Sequence, residues 1–125
     1  MSSAKRVLVG EDSSVIINLT KNVLAFENYE MKAAKNGEQV LDLLQKEDFD
    51  LILMDISMPK LDGVACTQAI RKMDDPKKSN IPIIAISGNV KNYTNEDFRA
   101  MGFNGFIQKP LDFDLLLATV NETLK

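Results

Sequence analysis

The chain has 125 residues, of which 45% are hydrophobic and 26% are charged, the composition of an ordinary globular domain of common size. The net charge of -3 and the lack of a basic run argue against a nucleic-acid-binding surface. With one cysteine and no histidine, the chain can form neither an intrachain disulfide nor a serine–histidine or cysteine–histidine hydrolase site, and a classical zinc site is not expected. No apolar run has the length of a membrane span or a signal peptide, so we expect a cytoplasmic protein.

The first half of the chain predicts two strand–helix units. The strands are expected at Arg6–Val9 and Glu30–Ala34. Between them, a helical period predicts a helix that Asp12 or Ser13 caps. Its inner face is expected to carry Ile16, Leu19, Val23 and Phe26. A second helix, entered through the turn at Asn36-Gly37, carries the apolar residues Val40, Leu43 and Leu44.

The second half continues the alternation. Leu51–Met54 and Ile83–Ser87 are almost continuously apolar, as expected for strands that are covered on both faces. A weaker helical period lies between them, at Val64, Thr67 and Ile70. A short helix at Asn95–Met101, which Gly102 ends, leads to a fifth strand at Gly105–Ile107. The last helix carries Phe113, Leu116, Leu117, Val120 and Leu124.

A strand followed by a helix, five times over, predicts a single α/β domain over residues 1–125. We expect a doubly wound parallel sheet with the flavodoxin-like (βα)5 topology and the strand order 2-1-3-4-5. In such a sheet, ligands bind beyond the carboxyl ends of the strands, near the switch in strand order. The first and third strands are neighbours at that point.

Polar residues follow four of the predicted strands at this edge of the sheet. The first strand leads to Glu11 and Asp12 and the third to Asp55, while Ser87 ends the fourth and Lys109 follows the fifth. Each residue alone is an ordinary turn or cap residue, but their coincidence in one topology indicates a site. Three carboxylates without a cation repel one another, and an all-oxygen site with room for water suits Mg²⁺.

A site of this kind can accept a phosphoryl group. Asp55 is then the in-line nucleophile, and Lys109 together with Mg²⁺ neutralises the phosphoryl oxygens. Ser87 offers a hydroxyl donor, and Gly88 leaves its backbone N–H open to the same oxygens.

The chain resembles the CheY-like receiver domains of two-component response regulators. The resemblance runs from about Lys5 to Leu124 and depends on four segments: "VLVGED", "LILMDISMPKLDG", "IPIIAISG" and "GFIQKP". It implies that Asp55 is the phospho-acceptor. It also implies that Asp12, Asp55 and the backbone carbonyl of Ser57 bind Mg²⁺, with Glu11 assisting through water.

The resemblance further implies a phosphorylation switch. Ser87 and Lys109 match the residues that bind the phosphoryl oxygens, and Phe106 matches the switch aromatic. Phosphorylation in the family draws the hydroxyl residue inward, and the aromatic follows. The change remodels the face of the fourth predicted helix, the fifth strand and the fifth predicted helix. The Lys109–Pro110 peptide bond is expected to be cis.

Two departures from the family pattern bear on the structure or the output. Gly10 stands where a bulky apolar residue usually precedes the acidic pair, so we expect a looser end of the first strand. Phe106 lacks a hydroxyl, so the sequence does not support an output that requires a tyrosine hydrogen bond.

Two other readings of the same fold fit the residues less well. A flavodoxin-like electron carrier needs a loop rich in Ser, Thr and Gly after the first strand, whereas Glu11 and Asp12 here would repel a flavin phosphate. A phosphatase of the haloacid dehalogenase type has its nucleophile after the first strand and a second Asp two residues later. Here the nucleophile follows the third strand, and Ser57 lies two residues on.

The expected function is therefore that of a phosphorelay receiver, which is not an enzyme beyond its own Mg²⁺-dependent phosphorylation and dephosphorylation. The expected donor is a histidine kinase or a histidine phosphotransfer protein, and the output partner is an unidentified protein. No nucleic acid or membrane partner is expected. A phosphate sink and a receiver module of a hybrid histidine kinase remain alternatives, and the Met1 start slightly favours a stand-alone protein.

Overall fold

The computed structural model describes residues 4–58, 60–88 and 93–125, which contain five strands and six helices. Met1 and Pro59 therefore lie outside the described residues. The strands are β1 (Arg6–Gly10), β2 (Glu30–Ala34), β3 (Leu51–Asp55), β4 (Ile83–Ser87) and β5 (Gly105–Gln108). The helices are α1 (Ser14–Ala25), α2 (Gly37–Lys46), α3 (Gly63–Arg71), α4 (Pro76–Ser79), α5 (Asn95–Met101) and α6 (Phe113–Leu124).

The five strands form one parallel sheet in the order β2-β1-β3-β4-β5, which confirms the predicted fold class and strand order. β3 lies at the centre and is buried along its whole length. Its alternate residues serve two cores, because successive strand side chains point to opposite faces. Ile52 packs into the cluster that includes Val40 of α2 and Ile70 of α3. Leu53 packs into the cluster that includes Leu24 of α1 and Leu116 of α6.

Side chains that accept hydrogen bonds from backbone N–H groups mark where the helices start. Ser13, and not Asp12, caps α1, because its side chain accepts a hydrogen bond from the N–H of Ile16. Thr94 and Asp97 form a reciprocal capping box at the start of α5. Gly102 ends that helix, as predicted, with a φ of 108° that favours glycine.

The structure corrects the predicted inner face of α1. Leu19 is 44% exposed and Phe26 is 83% exposed, whereas Thr20 and Leu24 are the buried residues of the helix. The helix ends at Ala25, one residue before Phe26. The chain also contains α4, a single turn that the sequence analysis did not predict.

Gly10 does not loosen the end of β1, contrary to expectation. It is the last residue of the strand and pairs with Ala34 of β2 and with Met54 of β3. The sheet therefore stays continuous up to the acidic pair that follows.

The single cysteine, Cys66, is fully buried on α3, and burial raises the pKa of its thiol to about 12. It therefore behaves as a small core residue. None of the described helices combines the length and the apolarity that a membrane crossing requires.

Candidate functional site

Neighbouring strand ends bring the predicted acidic residues together. Glu11 and Asp12 follow β1, and Asp55 is the last residue of β3 beside it. One carboxylate oxygen from each of the three residues lies within 4.8 Å of the other two. The topology therefore produces the cluster that the sequence pattern predicted.

Asp55 is held through both of its carboxylate oxygens. Asp55 as a whole is only 2% exposed to solvent. Oδ1 accepts a hydrogen bond of 2.9 Å from the backbone N–H of Ser57. Oδ2 accepts one of 2.8 Å from the ammonium group of Lys109, which comes from the end of β5. These two contacts fix the orientation of the carboxylate and compensate part of its desolvation.

Glu11 is buried beside Asp55, and hydrogen bonds compensate only part of the desolvation of its carboxylate. Its Oε2 accepts a hydrogen bond of 3.0 Å from the N–H of Ser13, whereas Oε1 has no hydrogen-bond partner among the described residues. Burial raises the pKa of Glu11 to about 7; the Ser13 bond opposes the rise, and the charge of Asp55 adds to it. The third carboxylate, Asp12, is exposed.

A cavity of about 300 Å³ opens onto this cluster. The predicted site residues that line this cavity are Glu11, Asp12, Asp55, Ser57 and Lys109. Its wall also contains residues to which the sequence analysis gave no role in the site: Ser13, Ile16, Pro110 and Leu111. Ser13 and Ile16 had been assigned only to the cap and the inner face of α1, and Leu111 carries no pattern that would have identified it.

The residues present suit a hard divalent cation. The cluster offers carboxylate oxygens of three residues, and the buried oxygen Oε1 of Glu11 has no partner among the described residues. Such an oxygen is costly to bury unless a donor or a cation meets it. Oxygen ligands with space for water are what Mg²⁺ prefers.

Two other predicted site residues lie at the end of β4, outside the wall of this cavity. Ser87 is 3% exposed, and its backbone carbonyl accepts a hydrogen bond of 2.9 Å from the N–H of Lys109. Gly88 is exposed, and a Cβ atom added to it would meet nothing within 4 Å. The Lys109–Pro110 bond is cis, as the family resemblance implied.

Phe106 lies on β5 and contacts α5 instead of the acidic cluster. Its ring stacks on that of Phe98, with centroids 4.6 Å apart and planes at 17°. The register of the sheet sets Phe106 opposite Ala85, two residues before Ser87 on β4. Phe106 also lines a second cavity of about 240 Å³, together with Asn95, Phe98, Arg99, Asn104 and Gly105.

Comparison with known proteins identifies the family. The response regulator receiver domain family matches residues 7–121, so the chain belongs to this family. It is therefore a receiver domain of two-component signalling systems, a class of signalling domain and not a classical enzyme family.

Relatives include both isolated and embedded receiver domains. The chain is 30% identical to the polar-differentiation response regulator DivK of Brucella anthropi over 120 residues, covering 96% of each protein. It is 38% identical to the CAI-1 autoinducer sensor kinase/phosphatase of Vibrio cholerae over 116 residues, which are 93% of this chain and 17% of that protein. The chain spans between 5% and 17% of the length of that kinase and of four hybrid histidine kinases of Dictyostelium discoideum.

A solved structure supplies a comparison at the metal site. The receiver domain of a sensor histidine kinase from Pseudomonas aeruginosa matches with a TM-score of 0.85 and 26% sequence identity, covering 97% of this chain and 98% of that one. That structure holds a magnesium ion coordinated in its active site cleft.

Proposed function

We propose that this receiver domain accepts a phosphoryl group on Asp55 from the phosphohistidine of a histidine kinase or a histidine phosphotransfer protein. The reaction depends on Mg²⁺, and the phosphorylated domain signals to a downstream protein. The observation that carries the proposal is the environment of Asp55, whose carboxylate is buried within reach of two other carboxylates and one ammonium group.

The proposed Mg²⁺ ligands are Asp12, Asp55 and the backbone carbonyl of Ser57, with Glu11 assisting through water. The crowding of the three acidic residues and the unpartnered oxygen of Glu11 support this assignment. When bound, the ion supplies positive charge against the oxygens of the acidic cluster and of the transferring phosphoryl group. A related receiver domain holds magnesium in its own active site cleft.

In the proposed transfer, an oxygen of the Asp55 carboxylate attacks the phosphorus atom in line with the bond to the donor. The new O–P bond forms as the N–P bond of the phosphohistidine breaks, and the electron pair of that bond stays on the imidazole nitrogen of the donor. The ammonium group of Lys109, which contacts Asp55 at 2.8 Å before transfer, neutralises a phosphoryl oxygen afterwards. The hydroxyl of Ser87 and the N–H of Gly88 are the further proposed donors to that group.

The proposed output is a change at the face that α5, β5 and α6 form. Phe106 is the proposed switch residue, and its stacking on Phe98 connects β5 to α5 within that face. The net charge of -3 supports a protein partner in preference to a nucleic acid. We propose that residues 1–125 form one receiver domain, which acts either alone or as a module of a hybrid kinase.

Phosphorylation of Asp55 is tested by intact mass. Wild type and Asp55→Asn are incubated with Mg²⁺ and acetyl phosphate, and only wild type is expected to gain one phosphoryl group. Asp112→Asn is the matched control, because Asp112 is an exposed helix cap that asparagine can replace, and it should behave as wild type does. An equal mass gain in Asp55→Asn would overturn the assignment.

A further inference from the structure

The side chain of Met58 packs at the site where Gly10 lacks a side chain. A Cβ atom added to Gly10 would lie 3.1 Å from Cγ2 of Val40, 3.2 Å from Sδ of Met54 and 3.3 Å from Cε of Met58. All three distances are shorter than ordinary van der Waals contacts. Met58 is 7% exposed, although it belongs to the loop that follows β3. Gly10 therefore provides the space that the methionine side chains occupy.

Backbone contacts fix the same loop near both of its ends. The carbonyl of Ile56 accepts a hydrogen bond of 2.9 Å from the N–H of Gly63. The carbonyl of Leu61 accepts one of 3.1 Å from the N–H of Gly37. A Cβ atom on either glycine would clash, at 2.4 Å from the Asp55 carbonyl oxygen for Gly63 and at 2.2 Å from the Leu61 carbonyl oxygen for Gly37.

Ser57 lies between these attachments and is itself exposed. The contact of Ser57 with the cluster is its backbone N–H, which donates to Oδ1 of Asp55 at 2.9 Å. The next residue, Met58, is the point at which the loop is buried in the core. The Ser57 backbone therefore lies between its hydrogen bond to Asp55 and the buried side chain of Met58.

We propose that Met58 is a positioning residue for the cation site and that Gly10 is the residue that admits it. The Met58 side chain, seated over Gly10, holds the Ser57 backbone where its N–H meets Asp55 and its carbonyl serves the metal. The metal part of this inference depends on the proposed function, since it takes the Ser57 carbonyl as a ligand. The effect on the Ser57 N–H does not depend on it.

Two substitutions disturb the contact from opposite sides. Met58→Ala removes the side chain that inserts, and Gly10→Ala occupies the space that receives it. Both should speed amide hydrogen exchange at Ser57 in the metal-free protein, because its bond to Asp55 is less well held. Met58→Ala should also weaken Mg²⁺ binding roughly 10-fold, a loss typical of residues that orient metal ligands. Gly10→Ala should weaken it less, because a methionine side chain can adjust.

The experiment measures three quantities for each variant: Ser57 amide exchange by NMR, the Mg²⁺ dissociation constant by calorimetry, and the free energy of unfolding in urea. Met58→Leu should keep Ser57 exchange and the Mg²⁺ dissociation constant close to their wild-type values, because leucine fills most of the space that methionine occupies. Gly105→Ala is the matched control, because the added Cβ on β5 would meet Cδ1 of Ile84 on β4 at a similar distance of 3.3 Å. It should change neither Ser57 exchange nor Mg²⁺ affinity.

The possible outcomes separate the two proposals. If Met58→Ala lowers only the free energy of unfolding and leaves Ser57 exchange as in wild type, Met58 is a core residue alone and the inference is wrong. If Met58→Ala does not fold, Gly10→Ala and Met58→Leu decide the question by the same readouts. If wild type binds no Mg²⁺, the proposed function fails, while Ser57 exchange still tests the positioning role.

Discussion

The ammonium nitrogen of Lys109 lies 2.8 Å from Oδ2 of Asp55, so the end of β5 supplies a cation to a carboxylate that the end of β3 buries. The two side chains differ in exposure, at 36% for Lys109 and 3% for Asp55. Loss of the lysine would leave Asp55 buried beside Glu11 without its ammonium partner. The pair is therefore the main charge compensation that the protein itself offers to the acidic cluster.

Lys109→Met should destabilise the metal-free protein by about 1–3 kcal/mol, because a buried carboxylate loses a charged hydrogen-bond partner. The matched control is Lys32→Met, which removes an equally short ion pair with Glu47 at 2.8 Å on the surface. That change should cost no more than about 1 kcal/mol, since Lys32 is half exposed and Glu47 keeps its hydrogen bond from Arg6. Urea unfolding with added chelator measures both. Equal losses in the two variants would contradict the role assigned to Lys109.

Asp12→Ala should abolish or sharply weaken Mg²⁺ binding and phosphorylation together, because the proposed site loses a direct ligand and a charge. Glu11→Ala should have a smaller effect, since we place Glu11 in the outer coordination sphere. Calorimetric titration with Mg²⁺ and intact mass after incubation with acetyl phosphate measure the two properties. Wild-type affinity in Asp12→Ala would mean that the cation binds elsewhere.

Glu11 should make the stability of the metal-free protein depend on pH. Burial raises its pKa from 4.5 to about 7, so the folded state binds the proton more tightly than the unfolded state does. The stabilisation linked to this group is complete below about pH 4.5 and is lost as the pH rises through about 7. The free energy of unfolding should therefore fall between about pH 5 and about pH 8, and Glu11→Gln should reduce that fall.

Glu47→Gln is the control for this measurement. Hydrogen bonds from Lys32 and Arg6 lower the pKa of Glu47, so that carboxylate stays ionised throughout the same pH window. In Glu47→Gln, the free energy of unfolding should fall with pH as steeply as it does in wild type. A wild-type slope in Glu11→Gln as well would show that another group causes the pH dependence.

The sequence predicts the strands and the acidic cluster well because their causes are local and topological. Leu51–Met54 is a short, continuously apolar run, which favours a strand covered on both faces, and the strand order follows from the alternation with helices. Once β1 and β3 are neighbours, Asp12 and Asp55 must share an edge of the sheet. Which oxygen of Glu11 lacks a partner, and where Met58 inserts, depend on packing between distant segments, which no local pattern reveals.

The predicted inner face of α1 is wrong because apolar residues lie on two faces of that helix. The pattern Ile16, Leu19, Val23 and Phe26 has good helical spacing, yet the face that meets the sheet carries Thr20 and Leu24. Thr20 is polar, so it weakens the pattern of the true inner face. Exposed Val15 and Leu19 strengthen the apolar pattern on the other side.

Alanine substitutions at Leu24 in α1 and at Phe26 just after it should distinguish the observed inner face from the predicted one. Leu24→Ala should lower the free energy of unfolding by about 2–5 kcal/mol, because it opens a cavity in the core that α1 and α6 share. Phe26→Ala should change it by less than about 0.5 kcal/mol, since the larger side chain is 83% exposed. Urea unfolding measures both. A larger loss for Phe26 than for Leu24 would support the face that the sequence favoured.

The proposed switch is tested at Ser87. The carbonyl of this residue accepts the N–H of Lys109 at 2.9 Å, and that backbone bond survives Ser87→Ala, so the variant removes only the hydroxyl. We expect the variant still to accept a phosphoryl group on Asp55, because the nucleophile and the acidic cluster are unchanged. Its conformational response should be smaller, since one donor no longer follows the added negative charge.

Amide NMR with Mg²⁺ and beryllofluoride, a phosphoryl mimic, measures the response of residues 93–108. In wild type, shifts should reach Phe98 and Phe106, whose rings stack at 4.6 Å, and Ser87→Ala should reduce them. Such a mimic shifts two pre-existing states only by its differential interaction with them, typically about 1–3 kcal/mol. Ser79→Ala is the control and should respond as wild type does, because the bond from the Ser79 hydroxyl to the Pro76 carbonyl lies at the surface of α4. If wild type shifts only near Asp55 while Phe98 and Phe106 stay unmoved, the domain is a phosphate sink and has no switch at this face.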